Sequence, residues 1–445
     1  MTTADPAPRP AGRALLAGVL TVGVVGFGGG SALIPVFDRE VVAKRGLLTA
    51  AQYLRHTVVA NLTPGALPVK LAASAGVTLG GWRLSILAAL VVALPGVAAT
   101  VGLLALADAL GPAAVRAVSF ASVGITAFIV VLLIGYITKV HTRAGPRLVA
   151  YVVITVLAAL ATGGHEIVSL VARLTGLPLA WPFPRLGALG LILVALALIV
   201  AWSLVSRGWS TPAPPDAEPA ASSGLGRAIG RATAAWLLVA ALGVGLFVLV
   251  PGTGLSLGSL LAASAVSSFG GGEAYVGVAD GFFVQSGMVD RHVFYTQLVP
   301  IANALPGPIL VKVAAGIGYL AGLPGGPVLA WGLAAAASLA TIGACCAVAL
   351  PVLGAYERLK DHPVVVNIGH YILPVICGLL VSVCATMFHV SADVGGTAGV
   401  PALPLVAVMV AAIVVMTWLH LRTRTPDLLM LLLAGGASLA VLLAA

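Results

Sequence analysis

Two stretches decide the reading of this chain: Phe27–Asp38, FGGGSALIPVFD, and Phe269–Asp280, FGGGEAYVGVAD. They lie 242 residues apart, and the same offset carries Tyr53 onto Tyr295, Asn61 onto Asn303, Pro64-Gly65 onto Pro306-Gly307 and Lys70 onto Lys312. From 27 to 76 the match runs without a gap, with 18 identities in 50 positions. The chain has only five lysines and three asparagines, and two of each pair across the copies. Self-similarity at a fixed offset marks a duplicated structural unit.

Of 445 residues, 60% are apolar and 8% charged, with a mean hydropathy of +1.11. A soluble domain carries about 25% Asp, Glu, Lys and Arg, so this composition excludes soluble, nucleic-acid-binding, coiled-coil and disordered readings. It is that of an all-α polytopic membrane protein. Apolar runs near the 20-residue span length fall at 12–30, 84–107, 113–138, 147–162, 186–206, 232–250, 255–269, 327–353, 363–388, 400–420 and 427–444. The polar, Pro/Ala/Ser-rich stretch 207–231 reads as a linker. The expected organisation is a tail (1–11), a first repeat (12–206), the linker, an extra connecting span (232–250) and a second repeat (254–445).

Pro35, Pro64, Gly65 and Pro68 interrupt the matched region of the first copy, as Gly281, Pro306, Gly307 and Pro308 interrupt the second. Counting each broken or re-entrant region as one crossing gives six before the linker and, with the extra span, seven. An odd number turns the second copy upside down, for about 13 crossings in two inverted-topology repeats. The basic loops 139–147, 207–231, 354–361 and 420–427 then share the cytoplasmic side with Arg9, Arg13 and the N-terminus. Arg39, Lys44, Arg45, Arg173 and Arg185 stand outside that pattern. The net charge of +9 follows from the cytoplasmic loops. The expected location is the cytoplasmic membrane, multi-pass.

Inverted repeats with broken helices build transporter sites near the bilayer midplane. Thr63 is expected at an N-cap with Pro64 at the first helical position, so that a half-helix starts there with free N–H groups. Asn61 sits just before it, and Lys70 leans back toward that start. Asn303, Gly307 and Lys312 repeat the pattern beside Gly65 and its Pro64. The glycines Gly28, Gly29, Gly30, Gly270, Gly271 and Gly272 would let backbone amides approach a ligand, or equally let helices pack closely. Two half-helix starts and two lysines suit a small anion with several oxygens. Asp38, Asp280 and Glu273 are candidates for coupling or for an ion pair with a lysine. No metal-ligand spacing, acidic metal cluster, HExxH or Walker motif is visible, so no cofactor, metal or catalytic residue is expected and an enzyme is disfavoured. A cation carrier is the harder alternative to exclude, because each copy keeps one Asp and one Lys.

These motifs resemble the chromate ion transporter family in its two-domain form. The resemblance rests on FGGGSALIPVFDREVV with ANLTPG in the first half and FGGGEAYVGVADGFFV with IANALPGPILVKVAAGIGY in the second. It implies chromate efflux, with sulfate as the chemical lookalike. The first copy has Pro64-Gly65-Ala66 where the family commonly shows Pro-Gly-Pro, and Asn61 and Asn303 stand where a Gln is common. The implied partners are an inorganic oxyanion and the lipid bilayer, without nucleic acid. A sulfate carrier or a proton-coupled carrier is the alternative, and a homodimer is one option for the assembly.

Overall fold

The computed structural model describes residues 9–26, 33–183, 186–205, 223–250, 254–269, 272–359, 362–422 and 427–444. Gly28, Gly29, Gly30, Gly270 and Gly271 lie outside them, as does the side chain of Glu273. The described residues are helical and contain no strand. Among the described residues eight helices are long and apolar enough to cross a membrane, and five shorter apolar helices accompany them. This is an all-helical polytopic membrane protein. Large apolar side chains stay exposed along these helices, among them Val149 at 76%, Leu237 at 71% and Val408 at 68%. Such a surface is stable only where lipid replaces water.

The chain divides into two compact units, each drawing on both halves of the sequence. The first comprises Met1–Ala99, Leu196–Tyr275 and Pro306–His370; the second comprises Thr100–Ala195, Val276–Leu305 and Tyr371–Ala445. In the first unit, helices Ser223–Leu246 and Pro327–Leu359 pack through small residues. A Cβ on Gly243 would come within 2.6 Å of the Ala336 carbonyl oxygen, and one on Gly343 within 2.6 Å of the Ala240 nitrogen. Close backbone approach is how helices associate where lipid is as apolar as leucine. Ser223–Leu246 begins inside the stretch read above as linker, because its Ala, Leu and Arg content favours helix. Trp236 is wholly buried here and its indole N–H donates to Ser85 Oγ at 3.1 Å. In the second unit, Pro112–Thr142 packs on Asp427–Ala444. The Gly124 N–H donates to Ser438 Oγ at 3.0 Å, and that hydroxyl reaches the Phe120 carbonyl at 2.9 Å.

The duplication is visible in backbone conformation. The helix Leu33–Phe37 runs into a π-helical turn at Asp38–Ala43, and Gly272–Ala279 runs into one at Asp280–Val284. Both wide turns start on the matched aspartate. Further on, Leu67–Ala109 is broken at Gly81 (φ +73°), and the second copy breaks at Gly326 (φ +93°) between Ile309–Gly322 and Pro327–Leu359.

Three of the basic residues that stand outside the charge pattern gather on one carboxylate. Glu40, 4% exposed, lies 2.6 Å from Arg45 Nη1, 3.4 Å from Arg39 Nε and 3.5 Å from Lys44 Nζ. The hydrogen bond from Arg45 holds its carboxyl below the ordinary value of 4.5. A carboxylate with a lowered folded pKa contributes stability that is complete above its unfolded value and is lost as pH falls through its folded one. The hydrogen-exchange protection of residues 38–47, after division by the intrinsic rate at each pH, should therefore be flat above about pH 5 and fall in acid below that. Glu40→Gln should show low protection at every pH. A wild-type profile without the acid limb would refute this role of Glu40.

Candidate functional site

In both copies the helix before the Pro-Gly pair ends in the same way. Ala50–Leu62 closes on Thr63 (φ −94°, ψ 148°) and Val299–Ala304 on Leu305 (φ −105°, ψ 151°). Both are extended because each precedes a proline, whose ring excludes the helical region for the residue ahead of it. This corrects the expected N-cap role of Thr63. It is the C-cap of the preceding helix, its hydroxyl donating to the Val59 carbonyl at 2.8 Å. Pro64 lies in the turn, and the next helix starts at Leu67. Gly65 and Gly307 then take φ of +104° and +95°, conformations that side chains other than glycine's rarely adopt.

These two loops cross. The Gly65 N–H donates to the Ser268 carbonyl at 2.7 Å, and the Gly307 N–H donates to the Gly26 carbonyl at 2.9 Å. Ser268 and Gly26 each stand one residue ahead of an FGGG run. The 242-residue offset turns one bond into the other, as a two-fold relation between the copies requires. All four residues belong to the first unit. Packing around them is tight: a Cβ on Gly65 would collide with Cys345 Sγ and lie 2.7 Å from Cys345 Cβ, and one on Gly96 would come within 2.5 Å of the Pro306 carbonyl. Neither Gly26, Ser268, Gly96 nor Cys345 carries a sequence signal of its own, although the first two could be read from their place before the repeated motif.

Lys70 and Lys312 lie in this same unit, at 1% and 0% exposure. The ammonium of Lys70 donates to the carbonyls of Ala60 (2.6 Å), Thr63 (2.5 Å) and Pro64 (3.1 Å). Three donors meet three acceptors, so the lysine is saturated. It places its charge where the negative end of Ala50–Leu62 faces the start of the next helix. The aliphatic stem of Lys312 runs past Gly96, where a Cβ would sit 3.0 Å from its Cδ. Of the buried acidic side chains described, Glu40 alone belongs to this unit, and it is held by Arg45. The interior around the crossing is therefore electropositive.

The remaining candidates separate. Asn61 and Asn303 turn their amides back to the Thr57 and Val299 carbonyls, at 2.7 and 2.9 Å, a local bond of the same kind in each copy. Asn61 and Asp38 are in the first unit; Asn303 and Asp280 are in the second. Tyr53 donates to the Ile34 carbonyl at 2.8 Å, whereas Tyr295 donates to Asp280 Oδ1 at 2.8 Å. Asp280 is 3% exposed and also accepts from Gln285 Nε2 at 2.7 Å, while Asp38 is only partly buried. The two matched aspartates thus have different surroundings. Gly272 opens the helix Gly272–Ala279. Among the described residues no group of three or more His, Cys, Asp or Glu is placed to hold a metal ion.

A family model described as Chromate transporter matches residues 13–264 and again 255–440. Two Bacillus subtilis proteins are similar: Uncharacterized transporter YwrB, 34% identical over 105 residues (24% of this chain and 53% of that protein), and Uncharacterized transporter YwrA, 35% identical over 81 residues (18% and 46%). The chain spans about half the length of these curated relatives. No solved structure matches. The two family matches cover both copies and nearly the whole chain, and the chain is a member of the chromate transporter family.

Proposed function

We propose that the protein is a secondary transporter of a tetrahedral oxyanion, chromate above all, exported across the cytoplasmic membrane by alternating access between inverted halves. The observation that carries this reading is the crossed pair of Pro-Gly loops with a buried lysine in each copy. Fixed positive charge in a membrane interior is costly and is retained at ion pathways. Here it stands beside the starts of two helices, Leu67–Ala109 and Ile309–Gly322, whose first-turn N–H groups favour anions. Lys70 contributes charge rather than a hydrogen bond, since its donors fix the helix break. Lys312 from the second copy is the other lysine of the proposed anion site; of the FGGG glycines expected there from the sequence, all but Gly272 lie outside the described residues.

Energy favours export. Each charge moved through 100 mV is worth about 2.3 kcal/mol, so a dianion leaving a negative-inside cell gains about 4.6 kcal/mol. Inside-out vesicles should accumulate labelled chromate under an inside-positive potential, and sulfate should compete. If neither anion moves under a potential or a pH gradient, the oxyanion assignment fails while the family and fold stand.

A further inference from the structure

The second unit has the opposite interior. Among its described Asp, Glu, Lys, Arg and His side chains, the buried ones are carboxylates: Glu166 at 9% and Asp280 at 3% exposure. Glu166 sits midway along Leu148–Thr175 and faces His389 of Pro363–Thr397. These helices meet closely there, because Cβ atoms on Gly163 and Gly378 would press on Ser382 and Ala158. Glu166 Oε2 lies 2.8 Å from Arg291 Nη2 and 4.0 Å from His389 Nε2. The His389 Nε2 atom also lies 3.0 Å from the Glu166 carbonyl and 3.1 Å from Ser169 Oγ. A carbonyl only accepts, so Nε2 carries a hydrogen and Nδ1 is the nitrogen left to take up a proton. About two turns beyond Glu166 and one beyond His389, Arg173 pairs with Asp393 at 2.7 Å. Glu166 and Arg291 also act electrostatically on Asp280.

Among these groups Arg291 answers Glu166 and Arg173 answers Asp393, while Asp280 has only the neutral donors Tyr295 and Gln285. Of the other titratable groups on the packed elements, His165, Asp290 and His292 are exposed, Cys384, Cys377, Tyr371 and His370 lie five or more residues before His389 on its helix, and Tyr151 lies near the start of the Glu166 helix. The cluster carries one more negative charge than positive, and a single proton would bring it to neutrality. Water can reach it. An open cavity of about 590 Å³ is lined by Arg116, His292 and Val394, the last two adjoining Arg291 and Asp393 in the chain.

We propose that the Glu166–His389–Arg291 cluster, with Asp280, is a proton-binding site through which proton movement is coupled to anion transport. The coupling half rests on the oxyanion reading above; the binding half does not. Histidine is the side chain suited to gaining and losing a proton near neutrality, and intramembrane carboxylate–histidine groups serve proton relays. No covalent step is involved: a proton from water binds Nδ1 of His389 beside the Glu166 carboxylate and later leaves.

The test uses the purified full-length protein in two arms. In weakly buffered solution without added anion, wild type should take up one more proton per chain between pH 8 and pH 5 than His389→Gln. The glutamine amide can still donate to the Glu166 carbonyl but binds no proton. Equal uptake by the two proteins overturns the site. In proteoliposomes containing a pH-sensitive dye, chromate flux through wild type should change the internal pH, and an imposed pH gradient should raise the initial flux at least threefold. Both effects should vanish in His389→Gln and in Glu166→Gln, with flux under a potential retained. Wild-type chromate flux without a pH change, or persistence of the pH effect in both variants, overturns the coupling. Absence of any chromate or sulfate flux in wild type overturns the oxyanion reading and with it the coupling, and leaves the first arm to decide the binding site.

Discussion

Gly65→Ala should damage the protein far more than Gly307→Ala, although the two glycines are equivalent in the repeat and share a positive φ. The backbone strain is common to both, about 1–3 kcal/mol for a side chain held in such a conformation. The surroundings are not. A methyl at 307 finds its nearest neighbours at 3.4 Å, the Gly23 carbonyl oxygen and Gly96 Cα. A methyl at 65 collides with Cys345 Sγ and lies 2.7 Å from Cys345 Cβ, which adds an overpacking cost of about 1–3 kcal/mol. Thermal unfolding in detergent should place Gly307→Ala modestly below wild type and Gly65→Ala far below it. Cys345→Gly should restore part of the loss in the Gly65→Ala background while destabilising the wild type, with a coupling of about 1–3 kcal/mol. Equal losses and no coupling would show that Gly65 does not pack on Cys345.

Lys70→Met is the second large effect. Methionine keeps most of the volume and removes the ammonium, so the carbonyls of Ala60, Thr63 and Pro64 lose their shared donor. A buried polar group left without a partner costs about 1–3 kcal/mol, which puts the total for three carbonyls at roughly 3–9 kcal/mol. Anion flux should fall to background, and protease sensitivity should appear at 60–66. Lys70→Arg should not rescue, because a planar guanidinium cannot direct three donors at carbonyls grouped around one ammonium. A Lys70→Met protein of wild-type stability with wild-type flux would remove Lys70 from both the helix break and the proposed site.

Much of this architecture could be read from the residues. The 242-residue offset paired Asp38 with Asp280 and Pro64-Gly65 with Pro306-Gly307, and the structure gives both pairs matching backbone turns. The direction in which Lys70 leans also followed from helix geometry. What it reaches did not: a lysine one turn into a helix looks the same in sequence whether it meets an anion or the carbonyls of the preceding helix. Thr63 was misplaced because a Thr-Pro pair fits a helix start as well as a pre-proline C-cap, and only the need for positive φ at Gly65 decides between them. Glu166 and His389 were invisible for a different reason. They lie 223 residues apart, and they meet because Gly163 and Gly378 let two long helices close together. The aspartates show the limit of repeat reasoning, since Asp280 gains Tyr295 as a donor while Tyr53 turns to Ile34.

The bond from Gly307 to Gly26 also sets a timetable for biosynthesis. The carbonyl of Gly26 enters the bilayer early, and its partner leaves the ribosome some 280 residues later. At 5–20 residues per second that is a wait of roughly 14–56 s. Through that interval the first copy is inserted but unclosed, with two polar groups, the Gly26 carbonyl and the Gly65 N–H, still seeking their mates. A ribosome that stops after the first copy would therefore release a client for membrane quality control rather than a smaller carrier.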